Sequence, residues 1–233
     1  MKTISRLFAV MLLSSASAFA VADPIQVEFD TFANLPGATF GGSGIPTNPT
    51  AITNFGNLTL GLSATQRFVG PNLGNDGAGT YFANPSTTGT TASWNFNYYI
   101  NDSQQALTAN GLTYRLLYDF NPGVNTDQSQ LGIIDFSASG GVSGQTFQNS
   151  QNLGFNFLKG IPPLAFITPP PGIFNPAING QYSFALIALR DGIEVARSAI
   201  QVNVGEVPEP GVFALLGLGM TGLIVARRRK QAK

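Results

Sequence analysis

Between Ile25 and Val204 apolar and polar residues alternate with a period of two, and no stretch sustains the 3.6-residue period of an amphipathic helix. Ile25, Val27 and Phe29 alternate with Gln26, Glu28 and Asp30; Leu58, Leu60 and Leu62 repeat the pattern. Trp94, Phe96, Tyr98 and Ile100 follow, then Tyr114, Leu116, Tyr118 and Phe120, then Leu153, Phe155 and Phe157. Tyr182, Phe184 and Leu186 precede Ile200, Val202 and Val204. Turn formers punctuate these runs at Asn75-Asp76-Gly77, Asn110-Gly111, Asn179-Gly180 and Asp191-Gly192. Side chains at i and i+2 share one face of a strand, so each run offers one face to a core. Many short strands at this spacing predict an all-β chain, an antiparallel β-sandwich of jelly-roll type. Fifteen of the 18 Phe fall in this region and predict a Phe-rich core.

Asp191-Gly192 carries the sharpest local prediction. Two residues between Arg190 and Ile193 suit a type I′ hairpin, in which both central positions need φ > 0. Ile193 and Val195 are odd, however, while Ile200, Val202 and Val204 are even. One face cannot bury both sets unless a residue is inserted, which predicts a β-bulge within Ala196–Ala199. Two stretches read as irregular. Residues 36–50 hold Pro36, Gly37, Gly41, Gly42, Gly44, Pro46 and Pro49, a loop. Residues 161–176 hold six prolines, read as a crossover between sheets or a boundary between modules rather than as a docking segment.

Absent residue types exclude whole chemistries. Without Cys or His the chain has no thiol nucleophile, no disulfide, no Cys/His zinc site and no Ser-His-Asp triad. Five basic residues face eleven acidic ones between Asp23 and Glu206, a net of −6 hidden inside a formal charge of zero. So acidic a middle argues against nucleic acid as a partner.

The balancing positive charge sits at the ends. Lys2 and Arg6 precede the apolar run Leu7–Leu13 and then small residues, the order of a secretory signal peptide over residues 1–22. Ala20-Val21-Ala22 places cleavage between Ala22 and Asp23, with Ala18-Phe19-Ala20 as the alternative two residues earlier. At the other end Val207-Pro208-Glu209-Pro210 leads into the uncharged segment Gly211–Ala226 and then Arg227-Arg228-Arg229-Lys230. Sixteen helical residues reach roughly 24 Å, short of a ~30 Å hydrocarbon core. Gly217, Gly219 and Gly222 weaken such a helix further, which suits temporary retention in the inner membrane. The basic cluster acts as a stop-transfer signal that stays cytoplasmic and leaves residues 23–206 outside.

VPEPGVFALLGLGMTGLIVARRRK resembles the PEP-CTERM sorting signal in the order, spacing and terminal position of its three parts. The resemblance implies processing by an exosortase, a membrane-embedded cysteine protease mainly of Gram-negative bacteria that make exopolysaccharide. Pro208, Glu209 and Pro210 would be the recognition element. Each proline fixes φ and disfavours helix in the residue before it, so the motif stays extended where a protease can reach it.

The middle offers weaker chemical candidates. Glu28 and Asp30 share a strand face, yet glycoside hydrolysis needs two carboxylates of different pKa across a cleft, and this face reads as solvated. Asp119, Asn121, Asn125 and Asp127 lie at near-alternate positions and could ligate Ca²⁺, but they lack an EF-hand core, and Asn and Asp crowd turns anyway. No metal or cofactor is assigned. Trp94, Tyr98 and Tyr99 could stack on sugar, but the shared parity of Trp94, Phe96 and Tyr98 places them in the core and leaves Tyr99 pointing outward alone. The sequons at Asn57 and Asn101 carry little weight in a bacterial chain. The expectation is a signal peptide (1–22), an all-β secreted ectodomain (23–206) and a sorting signal with a single transmembrane helix (207–233). Together they make a non-enzymatic cell-surface or matrix protein with exopolysaccharide as a partner. A carbohydrate-binding module and a glycan-active enzyme are the alternatives.

Overall fold

The computed structural model describes residues 23–41, 49–68 and 73–205. Its strands are β1 (Thr31–Ala33), β2 (Thr50–Phe55), β3 (Leu58–Gln66), β4 (Gly74–Asn75), β5 (Thr80–Ala83) and β6 (Trp94–Asp102). They continue with β7 (Thr113–Tyr118), β8 (Gly132–Asp135), β9 (Thr146–Gln151), β10 (Ile167–Thr168), β11 (Gly180–Arg190) and β12 (Ile193–Val204). Among the described residues the only helical turns are two short 3₁₀ segments, Gln128–Gln130 and Asn156–Lys159. Five strands form one sheet in the order β1-β2-β3-β6-β9, and seven form another in the order β10-β8-β7-β11-β12-β5-β4. Every named pair is antiparallel except β12 with β5. No helix among the described residues is long and apolar enough to cross a membrane.

Alternation explains how the sheets face each other. Leu60, Leu62 and Ala64 of β3 pair with Ile100, Tyr98 and Phe96 of β6, and all six side chains are buried. Phe96 stacks on Phe184 of β11 with ring centroids 4.9 Å apart, and Trp94 meets Phe184 edge-on at 5.9 Å. Phe184, Leu186 and Ala188 supply the opposite wall. β11 is buried on its other face too, where Ala185, Ile187 and Leu189 join Ile25, Leu117 and Ala199 in a second cluster. A strand covered on both sides has no polar face to show, so Phe184–Leu189 reads as one apolar run. The cover comes from the segment that begins at Asp23. Ile25 packs into that second cluster, and Glu28 bridges to Ala199 by a reciprocal pair of backbone hydrogen bonds.

The outer face of the five-stranded sheet is polar but shielded. Asn97 Nδ2 donates to Ser63 Oγ (3.3 Å) and Thr65 Oγ1 (3.1 Å), and Asn95 Nδ2 donates to Ser150 Oγ (3.0 Å). These cross-strand bonds satisfy side chains that would otherwise make burial costly.

β11 and β12 form the expected hairpin, with φ of 52° at Asp191 and 79° at Gly192. The bulge lies elsewhere than expected. Ala188 pairs with Ala196 and Leu189 with Glu194, so the extra residue is Val195 rather than any of Ala196–Ala199. Parity demanded one insertion, and the chain places it two residues past the turn, leaving Ile193 exposed and the even set Ala196–Val204 facing in. Deleting Val195 should therefore leave a regular hairpin and cost less than about 2 kcal/mol. Deleting Gln201 should turn Val202 and Val204 outward, at about 1.5–3 kcal/mol for each buried side chain. Urea melts of the two deletions measure the difference; equal losses would mean that the bulge does not set the register.

A second expectation fails at Leu153, Phe155 and Phe157. This stretch alternates, but β9 ends at Gln151 and the chain turns into the 3₁₀ segment Asn156–Lys159. Asn152 turns it: its Oδ1 accepts the Gly154 N–H at 2.9 Å. A Cβ on Gly154 would lie 2.3 Å from the Thr90 carbonyl oxygen, so the approach of the two segments requires glycine. The crossover from β9 in one sheet to β10 in the other includes only Pro162 and Pro163 of the proline-rich stretch; Pro169, Pro170, Pro171 and Pro176 follow β10 and lead to β11 within the same sheet. Residues 36–41 are loop, while residues 42–48, like both chain ends, lie outside the described residues.

Candidate functional site

The aromatic candidates do not make a platform. Trp94 and Tyr98 are buried between the sheets. Tyr99 points to the opposite face, as expected, but it is neither exposed nor alone. It is buried with Leu35, Ala38 and Phe40, where the loop before β2 folds back over the sheet. That fold-back is held by Gln148 of β9, whose Oε1 accepts the N–H groups of Thr39 and Phe40, both at 2.7 Å.

The carboxylates do not make an acid–base pair. Glu28, Asp30 and Arg197 line one open cleft of about 280 Å³. Glu28 lies 3.9 Å from the Arg197 guanidinium, with its side chain 63% exposed. Asp30 accepts the Asn54 N–H at 2.7 Å. Both side chains are exposed rather than enclosed in a pocket. Arg197 donates locally, from Nε and Nη2 to Glu194 (2.7 and 2.8 Å) and from Nη2 to Gln128 (3.2 Å).

The Asp119–Asp127 loop binds its own backbone. Asp119 Oδ1 accepts the Asn121 N–H (2.7 Å), and Asn121 Oδ1 accepts the Gly123 N–H (2.9 Å). Asp127 Oδ1 accepts the Ser129 N–H (2.8 Å) and Oδ2 accepts the Asp23 N–H (2.9 Å). These side-chain turns engage Asp119 Oδ1, Asn121 Oδ1 and both Asp127 oxygens with N–H groups. No group of three or more acidic residues among those described could hold a metal ion. Asp119 itself is buried and its Oδ2 has no hydrogen-bond partner. Burial pushes its carboxyl up to about 6 against the opposing pull of the Asn121 N–H.

Sequence reasoning missed an aromatic-walled cavity. About 440 Å³ opens where β9 and β10 leave the sandwich unclosed, walled by Tyr98, Phe136, Phe147, Phe157, Phe166 and the Gln151 amide. Tyr98 and Phe136 lie 4.5 Å apart and Phe136 and Phe147 5.2 Å apart, centroid to centroid. Burial raises the Tyr98 hydroxyl to about 12, partly offset by its hydrogen bond with Gln151. No lining residue is charged and most are aromatic or aliphatic, so the cavity can hold a neutral apolar group. Its walls come from β6, β8, β9 and the two connections that flank β9, and no linear pattern unites them.

Asn152 is the other residue that no motif announces. Buried completely, it accepts from the N–H groups of Ala92 and Gly154 and donates to the Ala92 and Trp94 carbonyls and to Asn95 Oδ1, at 2.7–3.0 Å. It ties the end of β9 to the entry of β6.

Functional residues legible in the sequence lie beyond this body. Gly205 ends the described chain, its N–H donating to the Ala83 carbonyl at 2.8 Å. Pro208, Glu209, Pro210 and Arg227–Lys230 fall outside the described residues, as do residues 1–22 with Ala22. Neither the curated proteins nor the solved structures yield a match to the chain. A family model does match: residues 206–230 carry a PEP-CTERM protein-sorting motif, the signal that directs an exported protein to exosortase processing.

Proposed function

We propose that the chain is a non-enzymatic component of the cell surface or extracellular matrix of a Gram-negative bacterium, exported by a cleaved signal peptide and associated with exopolysaccharide. The motif at 206–230 carries the reading, because it commits the chain to export and to a membrane-held stage before cleavage. The body supports it in what its candidates do. The acidic side chains singled out are turned onto backbone N–H groups or a guanidinium, and the aromatics are packed in cores. Surface binding and structural roles need neither a nucleophile nor a cofactor.

The sorting parts have separable roles on this reading. Pro208-Glu209-Pro210 is the protease's recognition element, Gly211–Ala226 holds the substrate beside it, and Arg227–Lys230 stops full export. Replacing Pro208-Glu209-Pro210 with three alanines should leave the protein inserted but uncleaved, accumulating at the inner membrane. Removing residues 211–233 should release it as a soluble exported protein. Fractionation and intact mass in an exosortase-positive host, with a deletion strain as control, read both. Identical mass and location with and without the exosortase would reduce the motif to a linker.

A further inference from the structure

The segment that begins at Asp23 is built into the fold by its first residue. Asp127 Oδ2 accepts the Asp23 N–H at 2.9 Å, and the Asp23 carbonyl accepts the Gln128 N–H at 3.0 Å. Gln128 Nε2 donates to the Asp23 carboxylate at 3.2 Å, and Pro24 forms a bridge with Asp127. Two residues on, Ile25 is buried in the cluster over β11, and its carbonyl accepts from Gln201 Nε2 at 3.4 Å. Every polar group of residue 23 thus has a partner within Asp127–Gln128. The partner of its nitrogen is a carboxylate, although an ordinary amide N–H needs only a neutral acceptor.

We infer that Asp127 is the receptor for a new chain terminus: export cleavage at Ala22–Asp23 frees the Asp23 α-amine, and the resulting ammonium is held by the Asp127 carboxylate. Cleavage is a hydrolysis by an export-pathway endopeptidase. The C–N bond between Ala22 and Asp23 breaks, the hydroxyl of water goes to the Ala22 carbonyl carbon, and its hydrogen goes to the Asp23 nitrogen. The free amine, with an ordinary pKa near 7.7–8.0, takes a further proton from solvent at neutral pH. A hydrogen bond charged only at its acceptor thereby becomes an ion pair at the same two atoms. Asp127 is prepared for it, because the Ser129 hydroxyl, then the Asp23 and Ser129 N–H groups, keep its carboxyl below the usual range and ionised. Cleavage two residues earlier, after Ala20, would leave the charge on Val21 and an amide at residue 23.

The pairing also changes what can reach the terminus. An aminopeptidase needs a free α-ammonium on an extended end, and here the ammonium is occupied and the chain behind it is tied into the sheet at Ile25 and Glu28. The docked end should therefore resist trimming after export. This rests on the exported reading above, and the test separates the two. The full chain is exported from a bacterial host, and its first residue is read by mass spectrometry; the purified protein is then exposed to a broad-specificity aminopeptidase together with one that cleaves Xaa-Pro bonds, because Pro24 follows Asp23. Wild type should begin at Asp23 and lose residues slowly. Asp127→Asn, which still accepts the Ser129 N–H, should be trimmed at least about tenfold faster at nearly unchanged melting temperature. An alanine inserted between Ala22 and Asp23 moves the ammonium one residue outward without touching Asp127, and should be trimmed as fast. A chain that keeps residues 1–22 would overturn the exported reading itself. A chain cleaved to begin at Val21, or one trimmed equally fast in all three forms, would overturn the docked terminus alone.

Discussion

Asn152→Asp should be the most damaging single-atom change in the ectodomain. The new oxygen would face the Ala92 and Trp94 carbonyls and Asn95 Oδ1, which now receive hydrogen bonds of 2.7–3.0 Å from Nδ2. Two N–H hydrogens shared among three buried acceptors would be lost, and an uncompensated charge would stand in their place. Each unsatisfied buried group costs about 1–3 kcal/mol and an unpaired charge more, so the loss should be at least about 4 kcal/mol. At about 2–4 °C per kcal/mol for a body of this size, the melting temperature should fall by roughly 10 °C or more. Asn149→Asp, three residues earlier on β9 and partly exposed, is the control and should cost well under about 1 kcal/mol. If the two variants melted together, Asn152 would not be the fastening that its geometry describes.

The second large effect is a reversal of the usual acid response. With its carboxyl raised from 3.8 to about 6, Asp119 keeps a proton in the native state that the unfolded chain has released. Between about pH 4 and pH 6 the folded form binds more protons, so stability falls as pH rises through that window. The contribution is complete below the unfolded pKa and gone above about 6, and its size is on the order of 3 kcal/mol. Asp102 and Asp127 act in the other direction and at lower pH. The Gln104 N–H holds Asp102 below 3.8, and the Ser129 hydrogen bonds do the same for Asp127. Their stabilisation is lost as pH falls through those depressed values. Denaturant melts should therefore show greatest stability near pH 4–5, with a decline toward 7.5. Asp119→Asn keeps the acceptor for the Asn121 N–H, and should flatten the decline and exceed wild type at pH 7.5. A wild-type curve that rises from pH 4.5 to 7.5 would contradict the assignment.

Long, regularly alternating strands were legible in the sequence, and the shortest strands were not. β3, β6, β7, β11 and β12 appear where Leu58–Leu62, Trp94–Ile100, Tyr114–Tyr118, Tyr182–Leu186 and Ile200–Val204 announce them. β4 and β10, at two residues each, are too short to express a period. Alternation at Leu153–Phe157 was real but did not make a strand, because a neighbouring Asn side chain satisfied the backbone locally. Tyr99 was placed on the correct face, yet its burial depends on Gln148 catching a loop more than a hundred residues away in sequence, which no local pattern encodes. The sorting motif was readable for the opposite reason: a protease reads it as a linear string, so its information is linear too. The aromatic cavity is assembled from distant segments and becomes visible only when they meet.

β12 lies between β11 and β5, so it alone joins the four strands β10-β8-β7-β11 to the pair β5-β4. It is also the last strand of the body to leave the ribosome and the export channel. Until Val204 emerges, the larger sheet exists as two fragments, and Glu28 and β5 have no edge to meet. The residues that complete the sheet and those of the sorting motif are adjacent, ending at 204 and starting at 206. Completion of the body and presentation of the address are thus nearly simultaneous on the far side of the membrane. A chain truncated before β12 would lack both the strand that joins the two parts of the sheet and the sorting motif.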